Sequence, residues 1–424
     1  MGRMTPHKPV TENESKLPPD RLYAICGLLL LASSINYMDR QTLANVGTRV
    51  TTEFALSERQ YGALETSFGY SFATGSMVMG ILADRVSIRL LYPTVLLLWS
   101  AVGFLTGMSR TYDDLLICRG LLGFFEAGHW PCGLKTLQSI LAPGQRAMGN
   151  GVLQSGTSIG AIITPLIMLA TLTPQAGSWR FGFQLVGAIG LVWIVAWFWF
   201  VRPSDFAGVR LNQNRQDPNE RPWWRDFLSR RMLVVVLVVS LINITWQTLR
   251  AWLPKIMQQE YGYGENFTFV FTSGWYAMTD VGCLGAGALA LGLASRGWGV
   301  KSSRSISFGV CAGLCALLML APWLSSGPLF LCVLLLSGAG ALGLFPIYYS
   351  LSQDVSQYHQ GKVAGVTGVI AWSLSAPTAS LFGWLADELN SFRVGLAIAG
   401  GIPILALFVI LFLWPNDLNQ KISR

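Results

Sequence analysis

Residues 22–46 read LYAICGLLLLASSINYMDRQTLANV. A run of this length and apolarity crosses a bilayer as one helix, because about 20 residues rising 1.5 Å each span the hydrocarbon core. Yet the run contains Asn36, Asp39 and Arg40. A full charge near the bilayer centre costs about 2.5–3.5 kcal/mol on insertion scales. The three positions are spaced i, i+3, i+4 and share one helical face, bordered by Tyr37. A helix keeps such a face when it turns it towards a bundle interior or a watery cavity. The competing reading is a charged pair snorkelling at a helix end.

The remaining chain supplies partners for that face. Of 424 residues, 52% are hydrophobic and only 12% charged, against about 25% charged in soluble domains. Hydropathy and length predict twelve spans, at 22–46, 60–83, 89–109, 114–138, 147–171, 180–201, 232–256, 266–294, 304–324, 328–352, 361–386 and 392–414. The expected fold is therefore an all-α integral membrane protein. An N-terminal six-helix bundle covers 22–201 and a C-terminal one 232–414, joined by an arginine-rich linker at 202–231. Residues 1–21, polar and holding Pro6, Pro9, Pro18 and Pro19, read as a disordered tail without a cleavable signal, and 415–424 as a short second tail. With the N-terminus inside, 21 Lys and Arg fall in inside segments and 6 in outside ones, while Arg40, Arg119 and Arg250 lie within spans. The positive-inside rule then places both termini in the cytoplasm.

The two halves repeat. Gly149, Gly156 and Pro165 recur as Gly361, Gly368 and Pro377 at an offset of 212, and Ser178-Trp179-Arg180-Phe181-Gly182 recurs as Ser391-Phe392-Arg393-Val394-Gly395 at 213. Gly80 and Gly292 match at 212. Equal span numbers and matching direction imply a parallel repeat about an axis along the membrane normal. Such a repeat places a site near the midplane between the halves, reached from alternate sides by rocking.

Gly80-Ile81-Leu82-Ala83-Asp84-Arg85-Val86-Ser87-Ile88-Arg89 resembles the signature loop between helices 2 and 3 of the major facilitator superfamily. Asn36-Tyr37-Met38-Asp39-Arg40 and Arg119-x3-Gly123-x2-Glu126-Ala127-Gly128 resemble its anion:cation symporter family. The wording Glu126-Ala127-Gly128-His129-Trp130-Pro131 is similar to hexuronate transporters. The resemblance runs along essentially the whole chain. It implies the major facilitator fold, a place in a bacterial inner membrane, and proton-coupled symport of an organic anion, a sugar acid such as a hexuronate or aldonate. The chain departs from the family at Leu122, where a second acid is common, near Thr157, and along Gly368–Pro377, where an Asn is common. Substrate identity is therefore left open by the resemblance.

The charges within spans carry the expected chemistry. Glu126 and Asp39 are candidate proton carriers, with Arg119, seven residues before Glu126 and on the same face, as a modulator; a purely structural pair between helices 4 and 1 is the alternative. Asp280 in helix 8 is a further proton candidate, equally readable as structural. Arg40 and Arg250, one from each half, are candidate carboxylate ligands, since a guanidinium offers a fork to both oxygens. The alternative for Arg250 is snorkelling outwards towards Lys255. Tyr37, Tyr70, Gln154, Tyr348, Tyr349 and Trp372 are candidate pocket lining, and His129 a packing residue. Asp84, Arg85 and Arg89 are expected to latch the cytoplasmic faces of the halves. The seven cysteines lie in apolar runs and three scattered histidines offer no ligand spacing, so no metal or cofactor is expected.

No nucleophile–base set or nucleotide loop points to an enzyme. The partners expected are a small organic anion, protons and lipid, with no nucleic acid, the carrier being a monomer. Alternatives are an exchanger, an importer of an aromatic acid or dicarboxylate, or a non-transporting sensor on the same fold.

Overall fold

The computed structural model describes residues 17–141, 145–206, 228–355 and 360–415. The tail at 1–16, most of the linker (207–227) and the end of the second tail (416–424) lie outside the described residues. All regular structure among the described residues is helical. The first half holds α1 (Pro19–Glu53), α2 (Glu58–Arg85), α3 (Ile88–Thr106), α4 (Tyr112–Glu126), α5 (His129–Ile140), α6 (Arg146–Thr171) and α7 (Trp179–Phe200). The second holds α8 (Arg230–Gln259), α9 (Glu265–Ser295), α10 (Val300–Ala316), α11 (Pro328–Gln353), α12 (Gln360–Leu389) and α13 (Arg393–Leu413). A 3₁₀ segment, Leu317–Trp323, extends α10 to full span length.

The fourth span departs from expectation by breaking into α4 and α5 at Ala127–Gly128. Pro131 explains the break: it has no N–H to donate to the Ala127 carbonyl, and its ring crowds that turn. The interruption falls directly after Glu126. Ten helices among the described residues are long and apolar enough to cross a membrane. The two expected spans that fall short are α2 and the α4–α5 pair, which carry Glu65, Arg119 and Glu126 in their interiors.

Local chemistry sets the turns. Ser57 and Gln60 form a capping box that starts α2, and Thr111 with Asp114 does the same for α4. The internal repeat is visible in matched contacts. Arg180 pairs with Glu53 at the end of α1 at 2.6 Å, and Arg393 pairs with Glu260 at the end of α8 at 2.7 Å. Each also reaches a backbone carbonyl of its own half, Ser109 and Pro322 respectively.

The halves meet along α2 with α12, α6 with α9, and α1 with α8. Call the end bearing the starts of α1 and α8 the termini end and the opposite one the far end. The far end is sealed. Arg49 binds Glu265 at 2.6 Å, Lys255 binds Glu58, and Asp387 accepts the backbone N–H groups of Glu58 and Arg59 at 2.9 and 2.8 Å. Glycine makes the seam possible: a Cβ on Gly62 would strike the Ala379 carbonyl, and one on Gly383 the Glu58 carbonyl. Deeper in, Thr66 binds the Ala376 carbonyl and Ser380, each at 2.8 Å, and Ser273 the Ile162 carbonyl at 2.9 Å. At the termini end Arg21 pairs with Asp205, Lys135 with Asp84 and Arg304 with Asp354, each within one half. The halves thus close at the far end and part towards the termini end.

Candidate functional site

The charges of the first expected helix face diverge in space. Asp39 turns towards α3, where its Oδ1 lies 2.7 Å from the position a Cβ on Gly103 would take. Asp39 is 1% exposed, and neither carboxylate oxygen has a hydrogen-bond partner. Arg40 turns towards α4, donating from Nε to Glu126 Oε2 at 2.6 Å. Its guanidinium lies 4.6–5.9 Å from the rings of Tyr37, Phe68, Phe72 and Trp372. The rings hold the cation by their negative faces while excluding water. Trp372 belongs to α12, so the cage is built by both halves.

The sequence places Arg119 on the face of Glu126, and the structure keeps the two within electrostatic reach without a hydrogen bond between them. Arg119 donates instead to Glu65 Oε1 at 2.7 Å, in α2, and lies 4.8 Å from the Phe68 ring. The other oxygen of Glu65 accepts from Arg250 Nη2 at 2.5 Å, across the junction of the halves. Arg250 also donates from Nε to Gln247 at 2.5 Å and is 3% exposed. The snorkelling reading of Arg250 therefore fails: the side chain points into the junction. Lys255, its supposed destination, is itself fully buried against Glu58. Glu65 is the residue that the sequence reading missed. Near the start of the expected span 60–83 it reads as an end charge, and it is the helix start at Glu58 that puts it two turns inside.

The cluster is thus Asp39, Arg40, Glu65, Arg119, Glu126 and Arg250, all at most 6% exposed. Four guanidinium nitrogens in it are buried without an acceptor: Arg40 Nη2, Arg119 Nε and Nη1, and Arg250 Nη1. Buried donors left unpaired cost free energy comparable to a lost hydrogen bond, and more when charged. An anion offering carboxylate and hydroxyl oxygens is the ligand class that satisfies them. Tyr37 borders the cluster, near both Arg40 and Arg250 and beside Trp246.

Of the other expected site residues, Asp280 and Tyr349 lie near Tyr37. Asp280 accepts from Ser158 at 2.8 Å, joining α9 to α6 across the halves. Gln154 is exposed and within 3.4 Å of Thr157. Tyr348 is buried and donates to Thr367 at 3.2 Å, which reads as packing of α11 on α12. Tyr70 and Tyr349 are 47% and 52% exposed. Asp84 pairs with Lys135, Arg89 donates to the Val201 carbonyl at 3.1 Å, and Arg85 is exposed, all within the first half. His129 is fully buried between Ser33 and Tyr92, each 2.9 Å away, so it ties α5 to α1 and α3.

A family model described as Major Facilitator Superfamily matches residues 29–380. The chain belongs to that superfamily. It is a multi-pass membrane transporter rather than an enzyme. Among curated proteins, the hexuronate transporter of Escherichia coli (strain K12) is 27% identical over 390 residues, covering 87% of this chain and 88% of the relative. The hexuronate transporter of Bacillus subtilis (strain 168) is 27% identical over 406 residues, covering 91% and 93%. The galacturonate transporter of Dickeya chrysanthemi is 24% identical over 317 residues, covering 71% and 90%. Among solved structures, a D-xylose–proton symporter superposes with a TM-score of 0.73 at 14% identity, covering 93% of this chain and 98% of that one. A bacterial homologue of the human lysosomal transporter Spinster, inward-facing and occupied, gives 0.74 at 15% identity, covering 94% and 95%. At these identities the structures speak for the superfamily fold alone.

Proposed function

We propose that this carrier moves a sugar acid such as a hexuronate or an aldonate, by symport with protons and by alternating access, across the inner membrane of a bacterium. Both termini face the cytoplasm in this reading, so the far end is periplasmic and the parted end cytoplasmic. The observation that carries it is the junction cluster: three buried guanidiniums from both halves, with four nitrogens lacking acceptors. A ligand gripped by both halves can bias their rocking, which a ligand held by one half cannot. The names of the relatives above favour the sugar-acid class.

The residues take the following parts. Arg40, caged by aromatic rings, receives the substrate carboxylate once Glu126 releases it. A proton on Glu126 removes the competing charge from Arg40, which couples proton loading to substrate binding. Asp39, buried without a partner, is the second group that a proton neutralises. Arg250 brings the C-terminal half to the substrate, and Tyr37 and Trp372 line the pocket. Asp84, Arg85 and Arg89 form the latch between halves in the alternate state, in which the termini end closes.

Moving one charge against the membrane potential costs about 2.3 kcal/mol per 100 mV, so an anion accumulates only if accompanied by protons. The test is uptake of labelled galacturonate into proteoliposomes under an imposed proton gradient. Accumulation that collapses on adding a protonophore is the expected result. Accumulation indifferent to the protonophore refutes proton coupling, and no uptake of any hexuronate or aldonate refutes the substrate class.

A further inference from the structure

Glu65 has no part in the transport cycle just described, although it is the most heavily engaged acid in the cluster. Both of its oxygens are used, one on Arg119 at 2.7 Å and one on Arg250 at 2.5 Å, and the residue is 5% exposed. It occupies the place between two guanidiniums that an anion would otherwise take. We infer that Glu65 is a built-in carboxylate that sets the charge of the cargo, restricting the carrier to anions with a single carboxylate. The inference deepens the sugar-acid reading and rests on it.

The argument is a count of available cations. The cluster contains three guanidiniums, those of Arg40, Arg119 and Arg250. Glu65 ties up both Arg119 and Arg250 from within the protein, one oxygen on each, and cancels one of their two charges. Arg40 is held differently, by one bond from Nε to Glu126 at 2.6 Å, with Nη2 left unpaired. A proton on Glu126 breaks that single tie and leaves Glu65 untouched. One guanidinium is released, and one guanidinium receives one carboxylate bidentately. A second carboxylate on the same ligand meets the Glu65 charge in a water-poor site, where like charges repel strongly. The nitrogens still unpaired beside Glu65, Arg119 Nε and Nη1 and Arg250 Nη1, suit neutral acceptors such as sugar hydroxyls. Specificity then comes from a repulsive element as much as from an attractive one.

The test compares galacturonate, with one carboxylate, and galactarate, with a second carboxylate in place of the carbon that closes the galacturonate ring; the difference in ring closure is common to wild type and variants, so the change in preference on substitution reads the charge. Binding of each is measured by calorimetry on the purified full-length carrier and on Glu65→Gln and Glu65→Asp. The wild-type carrier is expected to prefer galacturonate by about tenfold or more, and Glu65→Gln to shrink that preference by about tenfold through a gain in galactarate binding. Glu65→Asp, which keeps the charge, should keep the preference. A purely structural role for Glu65 moves both affinities together and leaves their ratio alone, so an unchanged ratio in Glu65→Gln overturns the inference. Should Glu65→Gln not fold, the monomethyl ester of galactarate is tested on the wild-type carrier. The ester should bind within about threefold of galacturonate, because the excluded charge is gone; an ester no better than galactarate overturns the inference. Wild-type carrier that binds galactarate as tightly as galacturonate overturns it as well. Wild-type carrier that binds no hexuronate or aldonate refutes the substrate class itself, and the inference falls with it.

Discussion

Arg40→Lys keeps the charge in the aromatic cage and removes the fork. In the native site Nε is committed to Glu126 at 2.6 Å while Nη2 has no acceptor. A guanidinium can therefore serve Glu126 and a substrate oxygen from different nitrogens, or turn both free edges to a carboxylate once Glu126 lets go. A lysine amine is a point donor, and its three protons leave from one atom. It makes at best one of the two parallel bonds to a carboxylate. The loss is one charge-assisted hydrogen bond, about 1.5–3 kcal/mol, which converts to roughly 10- to 150-fold in affinity. The rings within 4.6–5.9 Å still accept an ammonium, so the cage offsets little of the difference and does not add to it. The assay is isothermal calorimetry with galacturonate on purified Arg40→Lys and wild-type carrier. A thermal unfolding curve for each separates weak binding from poor folding. Affinity within twofold of wild type, in a variant that melts normally, would refute the claim that Arg40 clamps a carboxylate.

Glu126→Gln should abolish proton-driven accumulation while sparing exchange of substrate across the membrane, because the amide imitates the protonated acid; full proton-driven uptake in proteoliposomes would make Glu126 structural only. Arg250→Ala breaks the only guanidinium tie described between Glu65 and the second half, and should weaken galacturonate binding by about tenfold or more; calorimetry that finds an unchanged affinity would leave the anion to the first half. Gly62→Leu puts a side chain against the Ala379 carbonyl and should hold the far end open. A reporter cysteine at Ala251, in a carrier cleared of its seven native cysteines, should then react faster with an impermeant maleimide applied from the far side, and equal rates would refute the seam.

How far the sequence reaches can be judged residue by residue. The spans, the membrane class and the importance of Asp39, Arg40, Arg119, Glu126 and Arg250 follow from one rule, that a charge inside a span must be facing something. That rule gives no partner. Arg119 and Glu126 lie seven residues apart on one face, and periodicity pairs them; the structure sends each to a different helix, because α1 and α2 both offer countercharges at that depth. Glu65 is seven residues beyond Glu58 and six beyond Arg59, so by hydropathy it resembles an end charge. The Ser57 capping box, which starts the helix at Glu58, is what puts Glu65 two turns inside. The break after Glu126 was legible in principle from Pro131. The far-end pairs, Arg49 with Glu265 and Lys255 with Glu58, join residues about 200 positions apart, and no local pattern connects them.

The bond between Glu65 and Arg119 also bears on how the chain enters a bilayer. It joins α2 to α4, and these belong to the two expected spans that fall short in length or apolarity of a membrane-crossing helix. Glu65 alone would carry an unpaired charge into lipid, at a cost of about 2.5–3.5 kcal/mol; Arg119 supplies its countercharge. The expected outcome is that α2 settles in the bilayer only after α4 is available to pair with it. Nascent chains truncated after α3 should leave α2 accessible to an aqueous probe, and chains extended through α5 should not. On that outcome, a charge arrangement that serves the finished carrier also sets the order in which its membrane domain is assembled.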